Sequence, residues 1–181
     1  MPNITTHPTT GMSSDFFSEL ATTVSIQAQP DFLASQFGGD ISVSGLFERT
    51  AYQIARNLSE SYEPCGFTFA QCKEHNAFFM YPSDDAKQYA IETFDEDDAE
   101  TYDYIDNRVF GMIVTLRALE DSSCRNADEQ AITDIICEMM ENLQRAISHT
   151  VSAICGASSK LDNDDKAHVR YMADMLQKHT E

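Results

Sequence analysis

The run from Cys65 to Pro82, C-G-F-T-F-A-Q-C-K-E-H-N-A-F-F-M-Y-P, constrains this chain more than any other, because it is the densest stretch of β-forming aromatics in it. Gly66-Phe67-Thr68-Phe69-Ala70 alternates large apolar with small or polar residues, the period of a half-buried strand, and Phe78-Phe79-Met80-Tyr81 supplies a return strand. Lys73-Glu74-His75-Asn76 lies between them and is polar enough to turn, with Asn76 suited to a left-handed backbone. Pro82, having no N–H for a ladder, should stop the second strand. A β-hairpin is therefore expected, with Phe67, Phe69, Phe78 and Met80 in the core.

The chain's 181 residues suffice for one well-buried core and are few for two ordinary domains. A hydrophobic content of 42% is that of a globular chain, and no apolar run approaches the roughly 20 residues that cross a bilayer. Met1 to Ser14 lacks the basic start and apolar segment of a secretory signal, so a cytoplasmic protein is expected. Five cysteines at irregular spacing read as reduced thiols rather than a disulfide framework.

A formal net charge of −18 argues against direct nucleic-acid binding, since such a field repels phosphates and favours cationic surfaces. From Asp84 to Asp106 ten acidic residues face one Lys, which places half of the net charge in this short stretch. Asp95-Glu96-Asp97-Asp98-Ala99-Glu100 cannot be a buried strand, because like charges so close stay hydrated; a loop or a helix start is expected. Tyr102 and Tyr104 interleave with Asp103 and Asp106, and rings beside carboxylates suit a contact surface. The candidate partner-binding set is thus Asp95, Glu96, Asp97, Asp98, Glu100, Asp103 and Asp106, with Tyr102 and Tyr104 as aromatic anchors. Charge alone favours the plainer reading, an ordinary soluble surface with no specific partner.

Elsewhere the pattern is mostly helical. Residues 1–14 read as a flexible arm. Asp15 to Val24 predicts a short helix carrying Phe16, Phe17 and Leu20, followed by a loop that Phe32, Leu33 and Phe37 pin to the core before Gly38-Gly39 breaks the chain. Ser44 can cap a helix running to about Tyr62, whose stripe is Phe47, Ala51, Ile54, Ala55, Leu58 and Tyr62. Gln88 to Phe94 predicts a third strand with Tyr89 and Ile91 on one face. Asn107 to Glu120 favours an amphipathic helix, and Asp128 to about Ile154 a long one. A last helix opens at Asp162–Asp165, with Tyr171, Met172, Met175 and Leu176 apolar and Lys178 and His179 complementing its C-terminal dipole. The expected fold is a single α+β domain over residues 15–181, with a small antiparallel sheet of three or four strands packed against several α-helices. The helices from Ser44 and Asp128 should supply most of its core.

Catalytic signatures are absent from the sequence. Glu138 and Glu141 have E-x-x-E spacing, but a di-iron bundle needs Glu-x-x-His pairs, so a solvated face is expected. Cys65, Cys72 and His75 lack the short paired spacing of structural zinc sites, and the two cysteines read as buried and structural; no metal and no cofactor is expected. There is no P-loop, no G-x-S-x-G and no dinucleotide fingerprint.

The hairpin segment resembles the core motif of the ArdB/KlcA antirestriction proteins. The matching positions are Tyr62, Gly66, Phe67, Phe69, Asn76, Ala77, Phe78, Phe79, Met80 and Pro82. The family usually has Gly-Gly before a Trp, a Gly after the Asn and an Ala before the Pro, where this chain has Pro64-Cys65-Gly66-Phe67, Ala77 and Tyr81, with one more residue in the turn. The likeness extends to Asp31-Phe32-Leu33, Phe37-Gly38, Glu48 and Tyr52, and downstream to Gly111–Leu119, about half the chain in all. It implies an antirestriction protein of a mobile element that inhibits host Type I restriction enzymes by binding, without turnover. Its partner would be such an enzyme or the complex it forms on DNA. Two other classes stay open: an acidic decoy for the DNA channel of another nuclease, such as a CRISPR effector, and a metal-dependent enzyme using the cysteines and histidines.

Overall fold

In the computed structural model, residues 13–84, 87–94, 100–125, 128–156 and 163–180 are described. Most of the expected N-terminal arm and the Asp95–Asp98 run lie outside them. The elements are α1 (Ser13–Leu20), β1 (Ala21–Thr23), α2 (Gln29–Gln36), α3 (Ile41–Leu58), β2 (Phe67–Cys72), β3 (Phe78–Pro82), β4 (Gln88–Phe94), β5 (Glu100–Asp106), α4 (Asn107–Arg125), α5 (Gln130–Cys155) and α6 (Asn163–Thr180). The architecture is α+β, as expected. Its strands, however, form two sheets: β1-β2-β3 and a separate β4-β5 ribbon, all antiparallel. The Gln88–Phe94 strand therefore does not extend the hairpin sheet; β1, only three residues long, is the hairpin's third strand.

The hairpin forms in the expected place, with Phe69 opposite Met80. His75 and Asn76 both take positive φ in the turn, 65° and 44°. Pro82 is the last residue of β3 rather than the first beyond it. All five residues of β3 are buried, since its two faces meet other elements: Phe78 touches Phe32 and Phe47, while Phe79 touches Phe17.

Upstream, the helix expected over Asp15–Val24 stops at Leu20, and the loop expected around Phe32 is the helix α2. Gly38 and Gly39, at φ 65° and 88°, make the sharp turn out of it. Asp40, directly after that turn, caps α3 by accepting from Ser42 N–H at 2.8 Å and Val43 N–H at 3.1 Å. Ser44, expected in that role, is buried inside the first turn and donates to Ile41 C=O. Tyr62, expected on the same helix, lies beyond its end, where it stacks on Phe67 and meets Tyr89 and Phe110 at a tilt.

The helix at the centre is α4, which packs on β3, α3, α5 and α6 and is buried almost all round from Asn107 to Ser122. Its approach to β3 is unusually close. A Cβ on Gly111 would lie 2.2 Å from Met80 O and 2.5 Å from Tyr81 Cα, so glycine is required by space and not by backbone conformation. One turn on, Thr115 Oγ1 accepts from Met80 N–H at 3.0 Å and gives its single proton to the nearest carbonyl, Gly111 O at 2.7 Å, rather than to Met80 O at 3.4 Å. Asn107 Nδ2 donates to Pro82 O at 3.1 Å. Backbone groups of β3 that face away from β2 thus find partners on α4, which covers the sheet edge. One hydrophobic cluster joins the hairpin, the ribbon and the helices, and among the described residues no helix is long and apolar enough to cross a membrane.

The Gly111 contact predicts the sign of a substitution. Ala stabilises an open helix by about 1 kcal/mol over Gly, whereas forcing a methyl into a packed interior costs about 1–3 kcal/mol. Gly111→Ala should therefore lose stability on urea unfolding; a stabilised variant would show that α4 and β3 are not in this contact.

Candidate functional site

The β4–β5 ribbon has one face against the core and one in solvent, the arrangement that alternation in an antiparallel pair allows. Tyr89 lies opposite Ile105, Ile91 opposite Asp103 and Thr93 opposite Thr101. Tyr89, Ile91 and Ile105 are buried, and Tyr89 stacks on Phe110 of α4 with ring centroids 4.3 Å apart. The opposite face carries Tyr102 beside Glu92 and Tyr104 beside Ala90, with Glu100 at the end of the row. Tyr102 is 49% and Tyr104 51% exposed, values unusual for large aromatics and exceeded among the described large hydrophobics only by Ile26 and Ile41. The Tyr102 hydroxyl donates to Glu100 Oε1, and this bond is the main reason its pKa is pushed up to about 12. Aromatic surface ringed by carboxylates suits docking against a cationic partner.

The expected candidate set divides. Glu100, Tyr102 and Tyr104 share this outward face, and Glu92, not singled out from sequence, joins them across the register. Asp95, Glu96, Asp97 and Asp98 belong to the segment between the strands, outside the described residues. Asp103 and Asp106 instead serve the fold. Asp106 Oδ1 accepts from Arg108 N–H at 2.8 Å and Val109 N–H at 3.0 Å, capping α4 where β5 runs straight into it. Burial raises the Asp106 pKa, and the two backbone donors only partly oppose that rise.

Asp103 ties the ribbon to the end of α6. Its Oδ2 receives Lys178 Nζ at 2.7 Å and His179 Nε2 at 2.9 Å, while Arg117 Nε of α4 donates to His179 C=O at 2.6 Å. Lys178 and His179 thus do more than complement the α6 dipole. His179 is only 6% exposed. Burial lowers its pKa; the bond to Asp103 pulls the other way, and Lys178 and Arg117 add to the lowering.

Other chemistry-bearing residues are scattered. Cys72 is buried, with its thiol pushed up to about 12 by desolvation. Cys65, expected to be buried, is exposed in the extended segment before β2. Glu138 and Glu141 face solvent, Glu141 pairing with Arg145 at 2.7 Å. An open groove of about 520 Å³ between α3, α4 and the end of α6 is lined by Ile54, Asn57, Arg117 and Cys124 among others. His75, weighed from sequence with the cysteines, is instead gathered with Glu74 and with His149 of α5. No local pattern could have paired His75 with a residue so far along the chain.

Known proteins bear on the fold. No protein-family model matches the chain, and no curated protein does. A solved structure does match, with a TM-score of 0.56 and 22% identity over 84% of this chain and 93% of that one. It is described as showing the KlcA and ArdB proteins, with a novel fold and antirestriction activity against Type I DNA restriction systems in vivo but not in vitro. At that identity the likeness establishes a shared fold, the fold that the hairpin motif implied.

The His179 environment makes a testable statement about pH. An unfolded chain protonates this imidazole near its ordinary pKa of about 6.5, while the folded chain resists protonation. Its contribution to stability is therefore intact above that pH and lost as pH falls below it. Between about pH 7.5 and pH 5.5, the melting temperature of His179→Gln, which keeps an N–H for Asp103, should fall less than that of the unaltered chain. An equal or steeper fall would mean that His179 is not held neutral.

Proposed function

We propose that this chain is an antirestriction protein of the ArdB/KlcA kind, protecting the DNA of a mobile element from a host's Type I restriction enzymes in the cytoplasm. It does so by binding, not by turnover. The observation that carries the proposal is the agreement of two likenesses, the hairpin motif in the sequence and the fold match over most of both chains. The motif residues Tyr62, Phe67, Phe69, Phe78, Phe79 and Met80 are all buried. In this reading the motif marks packing, and contact with the partner falls to another surface.

That surface is the outward face of the ribbon, Glu92, Glu100, Tyr102 and Tyr104, together with the acidic run Asp95–Asp98 that joins its two strands in the sequence. Its partner is a Type I restriction enzyme or the assembly it forms on DNA, presenting a cationic patch. Charge steers the encounter, and the two phenol rings supply apolar area that can be desolvated on contact. Rings on a paired strand lose little freedom on binding, which favours affinity.

The solved structure's activity was seen in cells and not with purified components, so the test belongs in cells. Unmodified phage should plate better on a host with an active Type I system when this chain is expressed, and no better on a Type II host. Failure to rescue plating on several Type I hosts would remove the proposal. Two variants then examine the surface: Tyr102→Ala with Tyr104→Ala, and Asp95, Glu96, Asp97 and Asp98 changed to their amides. Each should lose most of the rescue while remaining folded by circular dichroism; full rescue by both would remove the ribbon face from consideration.

A further inference from the structure

We propose that Glu74, His75 and His149 form a binding site for a divalent first-row transition metal ion, which fastens the tip of the β2–β3 hairpin to α5. This goes beyond the antirestriction reading and does not depend on it. It also departs from the sequence expectation of no metal.

Glu74 and His75 lie in the hairpin turn, which Cys72 N–H closes by donating to Ala77 C=O at 2.8 Å. His75 sits at φ 65°, a conformation few residues other than glycine adopt. There its ring approaches that of His149 edge-on, with centroids 5.9 Å apart. His149 Nδ1 is 2.6 Å from Glu74 Oε2 and His75 Nε2 is 3.9 Å from the same oxygen. The three ligand atoms all lie within 4.8 Å of one another.

A plain Glu–His ion pair accounts for part of this arrangement but not for all of it. One imidazole would satisfy the carboxylate. The second, at 3.9 Å, is too distant for a hydrogen bond, yet it still brings a ring nitrogen towards the same oxygen. Zn–N and Zn–O bonds of about 2.0–2.2 Å put the donors of a tetrahedral ion about 3.4 Å apart. The two separations from the carboxylate oxygen, 2.6 and 3.9 Å, bracket that value, and the two ring nitrogens lie within 4.8 Å of each other. Small side-chain rotations would therefore bring the donors around one ion, because all three residues are exposed and free to adjust.

The donor chemistry narrows the ion. Two imidazole nitrogens and one carboxylate oxygen suit Zn²⁺, Ni²⁺ or Cu²⁺, whereas Mg²⁺ and Ca²⁺ favour all-oxygen sets. The chain's charge of −18 raises the local concentration of any cation. With solvent on the outer side, the remaining coordination positions go to water. A bound ion would close a link between a turn and a helix far apart in the sequence, restraining the hairpin tip.

The test is calorimetric titration of Zn²⁺ into the full chain, stripped with EDTA and kept reduced so that the thiols do not oxidise. One saturable site per chain is expected. His75→Gln and His149→Gln should each weaken it by more than the roughly 10- to 100-fold that loss of an outer-shell partner costs. Glu141→Gln, which removes an exposed carboxylate from the same helix, should leave it unchanged. His149 is exposed on α5, so its variant will fold, and circular dichroism checks this directly. Absence of a saturable site, or a site retained in both histidine variants and thus held by thiols or the acidic run, would overturn the proposal.

Discussion

The contact on which the rest of the structure depends is that between α4 and the outer edge of β3. A strand at a sheet edge leaves N–H and C=O groups unpaired, and inside a protein each such group costs about 1–3 kcal/mol. Here the helix supplies partners from side chains two turns apart, Asn107 to Pro82 O and Thr115 to Met80 N–H. That is possible only because the residue between them, Gly111, has no Cβ to hold the backbones apart. The seam lets a three-stranded sheet end inside the molecule rather than at its surface, and it places α4 where three other helices pack around it.

Because β5 runs directly into α4, fixing the helix also fixes the ribbon. Asp106 caps the junction, Tyr89 stacks on Phe110, and Asp103 holds the α6 terminus through Lys178 and His179. The inward face is thereby committed to packing and ion pairing. The outward face keeps Tyr102 and Tyr104 in solvent on a backbone that cannot drift far, as an interaction surface requires. Of the seven carboxylates suspected from sequence, Asp103 and Asp106 belong to this internal scaffolding, so the charge available to a partner is smaller than the acidic stretch suggests.

How much of this could be read from the chain follows from the range of each interaction. The hairpin was legible because Phe67, Phe69 and Phe78–Tyr81 announce strands by composition alone. The helices α5 and α6 were legible because their apolar residues recur over many turns. β1 was not: three residues, Ala21-Thr22-Thr23, carry no period, and only pairing with β2 makes them a strand. β5 was hidden by its own carboxylates, since the charges of Glu100, Asp103 and Asp106 argued for solvent while pairing with β4 decided otherwise. The α3 cap was misplaced because Asp40 and Ser44 are both good caps, and only the Gly38-Gly39 turn selects the earlier one. At the candidate site the exposed tyrosines were foreseen from local sequence. The roles of Asp103 and His75 were not, because their partners Lys178, His179 and His149 come from helices near the end of the chain.

Whether the outward face of the ribbon is the working surface can be measured directly by photo-crosslinking in living cells. A photoreactive phenylalanine analogue would replace Tyr104 in one strain and Arg145, an exposed residue on α5, in another, both carrying an active Type I system. Position 104 should crosslink to a subunit of the restriction enzyme and position 145 should not. A crosslink to that enzyme from position 145 with none from position 104 would contradict the assignment and move the contact to the helical side of the molecule.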